Sequence, residues 1–261
     1  MKLDLKKNVL ISGGSRGIGA ASAELFLKSG SNVGIFSRNL NNLKSIKKKF
    51  EKKYSKQKIF IFEYDAVSNI NFNEMILFFK KKFNNKIDIL VNNVGGGGRW
   101  GNENFELSDE SVWYEVMNKN FFIAQKLTMA LLPSMIKNKF GRVITIASVL
   151  GKEAGGRPWF NSAKSAQIAM MKTLSKYKKA CQSNITFNTI APGAILIPNT
   201  GWSELKKLAR GEYIKFEKTI PVGRLGKPED VAYLVLFLSS VYAKHINGSC
   251  ITIDGGESHS F

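Results

Sequence analysis

Short apolar runs rich in β-branched residues alternate along the chain with stretches whose apolar positions recur at helical spacing. Several of the short runs are apolar without interruption, which is typical of strands that are covered on both faces. This alternation predicts the α/β class, with a doubly wound parallel sheet of about seven strands and helices on both of its faces. The predicted strands cover residues 9–12, 32–36, 59–63, 87–91, 142–147, 185–190 and 250–253, and the predicted helices cover residues 18–28, 40–54, 72–83, 109–138, 161–180 and 228–241.

The composition indicates a folded protein, since 44% of the residues are hydrophobic and 23% are charged. The cysteines Cys181 and Cys250 have no metal-ligand spacing, and neither His245 nor His259 has a companion ligand, so no metal site is expected. No apolar stretch is long enough to span a bilayer, and no signal peptide is recognisable. We therefore expect no membrane partner and a reduced, cytoplasmic location.

The chain carries a large positive charge, +19, from 39 basic and 20 acidic residues. Such an excess is compatible with a polyanionic partner. Most of the basic residues are lysines, however, and they cluster at residues 47–49, 52–53 and 80–82 within predicted amphipathic helices. We interpret them as solvated helix faces and predict no nucleic-acid partner, although the charge can attract an anionic substrate.

A glycine-rich turn follows the first predicted strand and leads directly into the first predicted helix. Glycines at this point permit a tight turn, close approach of a pyrophosphate to the backbone, and exposure of the amides at the helix N-terminus. The arrangement predicts a Rossmann-type dinucleotide-binding domain, and a single domain over residues 1–261 is sufficient. The cofactor-binding residues predicted in this turn are Gly13, Ser15, Arg16, Gly17, Ile18 and Gly19.

The spacing G-x-x-x-G-x-G of this turn resembles the short-chain dehydrogenase/reductase superfamily, in which a threonine precedes the first glycine. Ser12 stands at the threonine position here. The resemblance covers nearly the whole chain. The overall pattern of motifs is also similar to that of 3-oxoacyl reductases. It implies an oxidoreductase that moves a hydride between a nicotinamide cofactor and a carbonyl or hydroxyl group. The further motifs that carry it are Asn92-Asn93-Val94-Gly95, Asn120, Ser148, Lys164, Pro192-Gly193 and Ile253-Asp254-Gly255-Gly256.

Cofactor choice follows from the end of the second predicted strand, where NAD enzymes of this type place an acid on the ribose 2′-hydroxyl. That position is Ser37, followed by Arg38, and Arg16 lies in the glycine turn. Two guanidinium groups can bind a 2′-phosphate, which an acid would repel. We therefore expect NADP(H) rather than NAD(H). The other cofactor-binding residues that the resemblance implies are Asp65, Ala66, Asn92, Gly95, Lys164, Pro192, Gly193 and Ile195.

The catalytic residues of the family are a serine, a tyrosine and a lysine, with an asparagine that supports a proton-relay water. Carried over by resemblance, these are Ser148, Lys164 and Asn120. The tyrosine position, four residues before Lys164, is occupied by Phe160, which has no proton to donate. Loss of such a general acid typically lowers the reaction rate by about 10²–10⁴-fold.

Four explanations for Phe160 are open. The enzyme uses another proton source or a substrate that needs no proton from this residue; the chain is a nucleotide-binding pseudoenzyme or regulatory subunit; it carries a deliberate Tyr→Phe change; or a tyrosine comes from elsewhere in the chain. The last is the weakest, because helix geometry aligns only positions 160 and 164 on this face. Candidate proton sources are Ser148, Ser162, Glu153, Tyr213 and a water held by Lys164.

The resemblance implies that substrate specificity lies in the segment 194–220, after the sixth predicted strand, and such a segment can close over the site as a lid. Aromatic residues beside arginines, as at Arg99-Trp100, suit a polar anionic small molecule such as a phosphorylated or nucleotide sugar, and an acyl-carrier-protein keto-ester is the alternative. The resemblance also implies a homotetramer or homodimer that packs through the predicted helices 109–138 and 161–180.

Overall fold

A computed structural model describes residues 5–68, 70–102 and 104–260. Its strands form one seven-stranded sheet in the order β3-β2-β1-β4-β5-β6-β7, and every neighbouring pair is parallel. The strands are β1 (Asn8–Ser12), β2 (Asn32–Ser37), β3 (Ile59–Glu63), β4 (Ile89–Asn92), β5 (Gly141–Ile146), β6 (Ile185–Pro192) and β7 (Cys250–Ile253).

The order of the strands reverses beside β1, which pairs with β2 on one side and with β4 on the other. In open α/β sheets, ligands bind in the crevice that such a reversal leaves at the carboxyl ends of the strands. The glycine turn after β1 and the polar residues after β4 therefore share one edge of the sheet.

Both faces of the sheet are covered by helices. On β1, Val9 and Ile11 belong to one buried cluster and Leu10 to the other, as strand geometry requires. The helices are α1 (Gly17–Lys28), α2 (Leu40–Lys53), α3 (Phe72–Lys82), α4 (Glu110–Met117), α5 (Ile123–Lys137), α6 (Pro158–Leu174), α7 (Lys178–Cys181), α8 (Gly201–Leu208), α9 (Arg210–Thr219) and α10 (Pro228–Leu238). This architecture confirms the predicted fold class. No helix in the described ranges is long and apolar enough to cross a membrane.

Two of the predicted helices differ from the structure. The stretch 109–138 is not one α-helix, because a π turn at Asn118–Phe122 separates α4 from α5. A π turn inserts one residue that the apolar periodicity does not reveal. The stretch 161–180 is also wrong: α6 begins at Pro158, which is favourable at the first helical position, and ends at Leu174 before the short α7. Strand ends differ by up to two residues.

The segment 194–220 folds into α8 and α9. The rings of Trp202 and Phe216 stack at 4.2 Å between centroids and join the two helices. The guanidinium of Arg99 lies 4.9 Å from the centre of the Trp202 ring, which ties this segment to the loop after β4.

Candidate active site

A cavity of about 530 Å³ opens at the carboxyl ends of the strands, beside the point where the strand order reverses. It is large enough for much of a dinucleotide and an adjoining small substrate. Most of the residues predicted from the sequence line it, namely Gly13, Ser15, Arg16, Gly17, Ile18, Ser37, Arg38, Asp65, Ala66, Gly95, Ser148, Phe160, Lys164, Pro192, Gly193 and Ile195.

Three predicted residues do not line the cavity. Gly19 lies in α1 where a side chain would meet the Gly13 carbonyl, so its role is packing of the turn. Asn120 is fully buried behind the cavity in the π turn. Asn92 is also buried, and its amide donates to the hydroxyls of Thr128 at 3.3 Å and Thr145 at 3.2 Å.

Asn93, rather than Asn92, lies at the cavity wall. Its side-chain amide donates to the carbonyl oxygens of Ser12 at 2.9 Å and Gly13 at 3.2 Å, and its backbone N–H donates to the Ser12 hydroxyl at 2.8 Å. These bonds hold the glycine turn against the end of β4. Asn92 and Asn93 differ in this way because successive side chains at the end of a strand point to opposite faces.

The glycine turn fits a dinucleotide pyrophosphate. Gly13 and Gly17 have φ of +69° and +56°, which glycine adopts without strain. The N-cap of α1, Arg16, makes no capping bond with its side chain, and no acidic residue stands in the first turn of the helix. Its first amides are therefore available to an anion, which the helix dipole favours.

Cationic side chains collect at the cavity end beside β2 and β3. Arg16, Arg38 and Lys119 line it together with the carboxylate of Asp65. Burial, and after it the nearby Arg38, lower the pKa of Lys119 to about 8, although the carboxylate of Asp65 opposes this shift. The Lys119 ammonium lies 4.0 Å from the centre of the Trp100 ring. Lys119 was not predicted from the sequence.

At the opposite end, Ser148, Phe160 and Lys164 meet at the cavity wall. The Ser148 hydroxyl accepts from the backbone N–H of Leu150 at 3.2 Å, which orients it at the end of β5. The Lys164 ammonium donates to the Ile146 carbonyl at 3.0 Å and to Gln167 Oε1 at 3.2 Å. Burial lowers the pKa of Lys164 from its ordinary value to about 7.

Phe160 is held in an aromatic and aliphatic cluster. The same cluster contains Trp159, Trp113 and Trp100, and a Cβ built on Gly98 would lie 3.4 Å from the Phe160 ring. The backbone of the loop after β4 therefore rests against the ring.

The other candidate proton sources lie away from the cavity. Ser162 is exposed on α6. The carboxylate of Glu153 accepts hydrogen bonds from Ser258, His259 and Ser260 in the tail of the chain. The Tyr213 hydroxyl donates to Glu217 at 2.8 Å, and burial, together with this carboxylate, raises the pKa of Tyr213 to about 12.

Several cavity residues were missed from the sequence. Six of the eleven lie within three residues of the carboxyl end of a predicted strand, so the rule that ligands bind at these ends could have found them. Lys119 had no such signal, because it comes from the unpredicted π turn. Within the described residues, no group of three or more His, Cys, Asp or Glu could hold a metal ion. The missed cavity residues are Asn39, Asn42, Tyr64, Asn93, Val94, Gly96, Lys119, Ile146, Ala147, Ile197 and Thr200.

The fold and the cavity define an α/β protein with a nicotinamide-dinucleotide site and an adjoining serine–lysine pair. The family model described as short chain dehydrogenase matches residues 7–207, and the chain belongs to this family. It is therefore an oxidoreductase of the NAD(P)-dependent type.

The relatives are of similar length to this chain. The 3-oxoacyl-[acyl-carrier-protein] reductase FabG of Aquifex aeolicus is 33% identical over 262 residues, covering 98% of this chain and 99% of the relative. That of Chlamydia trachomatis is 31% identical over 256 residues, covering 97% of each.

Two solved structures are also similar. L-Sorbose reductase of Gluconobacter frateurii, solved with NADPH and L-sorbose, superposes with a TM-score of 0.88 at 27% identity, covering 100% of both chains. YwfH, described as an NADPH-dependent reductase involved in bacilysin biosynthesis, gives a TM-score of 0.88 at 26% identity, over 98% of this chain and 100% of that one.

Proposed function

We propose that this chain is an NADP(H)-dependent reductase of a carbonyl group in which Lys164 supplies the proton, either directly or through one water molecule. The observation that carries the proposal is the position of the Lys164 ammonium at the cavity wall, beside a Phe160 ring that has no hydroxyl. Of the proton sources considered from the sequence, only Lys164 and Ser148 line the cavity.

The preference for NADP(H) is supported by the cations at the adenosine end of the cavity. The last residue of β2 is Ser37 rather than an acid, and Arg16, Arg38 and Lys119 line the same end. A 2′-phosphate in this place would gain charge-assisted hydrogen bonds. Of the two similar structures, YwfH is an NADPH-dependent reductase and the L-sorbose reductase was solved with NADPH.

Each side chain has a distinct part in the reaction. The nicotinamide, when bound, supplies the hydride to the carbonyl carbon. The Ser148 hydroxyl donates a hydrogen bond to the substrate oxygen and stabilises the charge that develops there. The Lys164 ammonium then gives up a proton to that oxygen. Because burial lowers the pKa of Lys164 to about 7, proton transfer from it near neutral pH is easier than from an exposed lysine.

We propose a small polar substrate, either sugar-derived or acyl. The relatives named as acyl-carrier-protein reductases favour an acyl group, whereas the L-sorbose reductase favours a sugar. The segment 194–220, with its helices α8 and α9, forms the substrate side of a single domain over residues 1–261. The net charge of +19 suits an anionic substrate or an acidic carrier.

A second copy of the chain is the proposed partner. The face of α4, the π turn and α5 presents Tyr114, Phe122 and Met129 to solvent, with 61%, 40% and 63% of their surfaces exposed. Exposed apolar residues on adjoining helices are typical of protein interfaces. Light scattering after size exclusion is expected to give a dimer or tetramer, and a monomer would contradict it.

The function is tested by following NADPH oxidation with a panel of keto-sugars and 3-oxoacyl thioesters. We compare the protein with Lys164→Met and with Lys172→Met, an exposed lysine two turns later on α6. Lys164→Met should lose at least about 10²-fold in kcat, within the range for general acid catalysis, and Lys172→Met should not. Equal rates for the two variants would reject Lys164 as the proton source. NADPH binding without turnover on any carbonyl would instead support the pseudoenzyme.

A further inference from the structure

Gln167 is a fully buried polar residue in α6, one helical turn after Lys164. Its side chain makes two hydrogen bonds of opposite kinds. Gln167 Oε1 accepts from the Lys164 ammonium at 3.2 Å, and Gln167 Nε2 donates to the Asn120 carbonyl at 2.8 Å. Burial of an amide is costly unless it is hydrogen-bonded, so these contacts define a single orientation of the side chain.

The first bond limits the directions in which the Lys164 ammonium can donate. An ammonium has three N–H groups. One donates to the Ile146 carbonyl at 3.0 Å and one to Gln167. Gly95, which lines the cavity, leaves the third direction open, because a Cβ at that position would lie 3.0 Å from the Lys164 nitrogen.

The second bond connects Lys164 to the loop after β4. Asn120, whose carbonyl accepts from Gln167, bonds to Gly96 in both directions: its amide donates to the Gly96 carbonyl at 2.8 Å, and its Oδ1 accepts from the Gly96 N–H at 3.1 Å. The π turn exposes the Asn120 carbonyl to Gln167, since the carbonyls of a π turn do not all bond within an α-helical ladder. Lys164, the π turn and this loop are thus joined through one glutamine.

We propose that Gln167 is a positioning residue that fixes the Lys164 ammonium so that one N–H points into the cavity, and that couples this orientation to the loop after β4. The inference rests on the proposed function, because it assigns a means of control to the same lysine. Gln167 does not line the cavity and acts only through Lys164.

Leucine at position 167 would remove the acceptor and the donor while keeping most of the volume. The Lys164 ammonium would then be less well stabilised against burial. The groups that face it from each packed element are uncharged: Ile146 from β5, Asn120 from the π turn, Gly95 from the loop, and Phe160 from α6 itself. No other described contact of Lys164 would replace the lost acceptor.

Glutamate at position 167 separates the two contacts. It keeps an acceptor for Lys164 and adds a negative charge, which favours the ammonium, but it loses the donor to Asn120. Gln167→Leu and Gln167→Glu should therefore change the titration of Lys164 in opposite directions. A merely structural role would lower the unfolding temperature of both variants without this opposition.

The experiment measures the dissociation constant of NADPH by tryptophan fluorescence, and kcat where turnover is found, from pH 6 to 9.5. Thr128→Val serves as the control, because it removes another buried hydrogen bond, to Asn92, at a residue that does not line the cavity. Deprotonation of Lys119 near pH 8 should weaken NADPH binding equally in all of these variants, so it does not affect the comparison. Gln167→Leu should move the midpoint assigned to Lys164 down by about one pH unit, the size expected for loss of one hydrogen bond to a charged group. Gln167→Glu should move it up.

Midpoints that stay at the wild-type value in both Gln167 variants would overturn the inference. If Gln167→Leu does not fold, the test rests on Gln167→Glu, and an unchanged Lys164 midpoint in that variant alone would also overturn the inference. Failure of the proposed function gives a different result: Lys164→Met would leave both NADPH binding and kcat unchanged.

Discussion

The ammonium nitrogen of Lys164 lies 5.5 Å from the centroid of the Phe160 ring, one helical turn earlier on α6. The resemblance to the family implies a tyrosine, with its phenolic hydroxyl, at the position of Phe160. Here the lysine faces an aromatic ring whose negative face attracts the ammonium. The lysine and an aromatic ring are therefore both present, and only the phenolic hydroxyl is missing.

Restoring that hydroxyl should speed the reaction. We expect Phe160→Tyr to raise kcat by up to about 10²-fold, the lower end of the range for general acid catalysis, because a phenol would then stand beside the Lys164 ammonium. The affinity for NADPH should not change. Stopped-flow measurement of NADPH oxidation tests this, with Phe237→Tyr on the distant α10 as the control. An unchanged or slower rate would show that the substrate has no use for a phenol at this place.

Arg38 should set the choice of cofactor. We expect Arg38→Ala to weaken NADPH binding by about 10- to 100-fold, because a hydrogen bond between charged groups contributes roughly 1.5–3 kcal/mol. NADH binding should be unaffected, since NADH has no 2′-phosphate. Fluorescence titration with both cofactors measures this, and Arg210→Ala, at an exposed position of α9, is the control. Equal losses for NADH and NADPH would show that Arg38 does not distinguish them.

Lys119 should make NADPH binding dependent on pH. Burial and the neighbouring Arg38 lower the pKa of Lys119 to about 8, so the side chain loses its proton as the pH rises through that value. A phosphate prefers the protonated form, and binding should therefore weaken between about pH 7.5 and 9. The pH series is compared with Lys119→Met, in which this decrease should disappear. If Lys119→Met keeps the same decrease, another group is titrating.

The fold was predictable because it depends on local periodicity. Uninterrupted apolar runs such as those in β1 and β4 are typical of strands covered on both faces by helices, and the glycine turn marks the end of β1. The local pattern of apolar residues does not reveal an interruption of a helix when that interruption is caused by contacts with residues distant in sequence. The π turn is stabilised by bonds from Asn120 to Gly96 and from Gln167 to Asn120, which are distant in sequence.

The site was predicted less completely for the same reason. Residues identified by motif, such as Arg16 and Ser148, line the cavity as expected. Lys119 also lines it but is brought there by the π turn, and Gln167 reaches it only through its hydrogen bond with Lys164. At the end of β4 the side chain of Asn93 lines the cavity and that of Asn92 is buried, a difference that the sequence motif does not reveal. A one-residue error at a strand end turns a cavity residue into a buried one, because successive side chains point to opposite faces.

The π turn at Asn118–Phe122 also constrains how this chain can change in length. An α-helix advances by about 100° per residue, so deleting one residue here would join α4 and α5 into a regular helix and rotate one relative to the other by that angle. Trp113, whose ring lies 5.8 Å from that of Trp159, would swing away from α6. A chain shortened in this way would lose the packing of α4 behind Phe160 and the position of Asn120. Deletions should therefore be far less tolerated here than in the neighbouring surface loops.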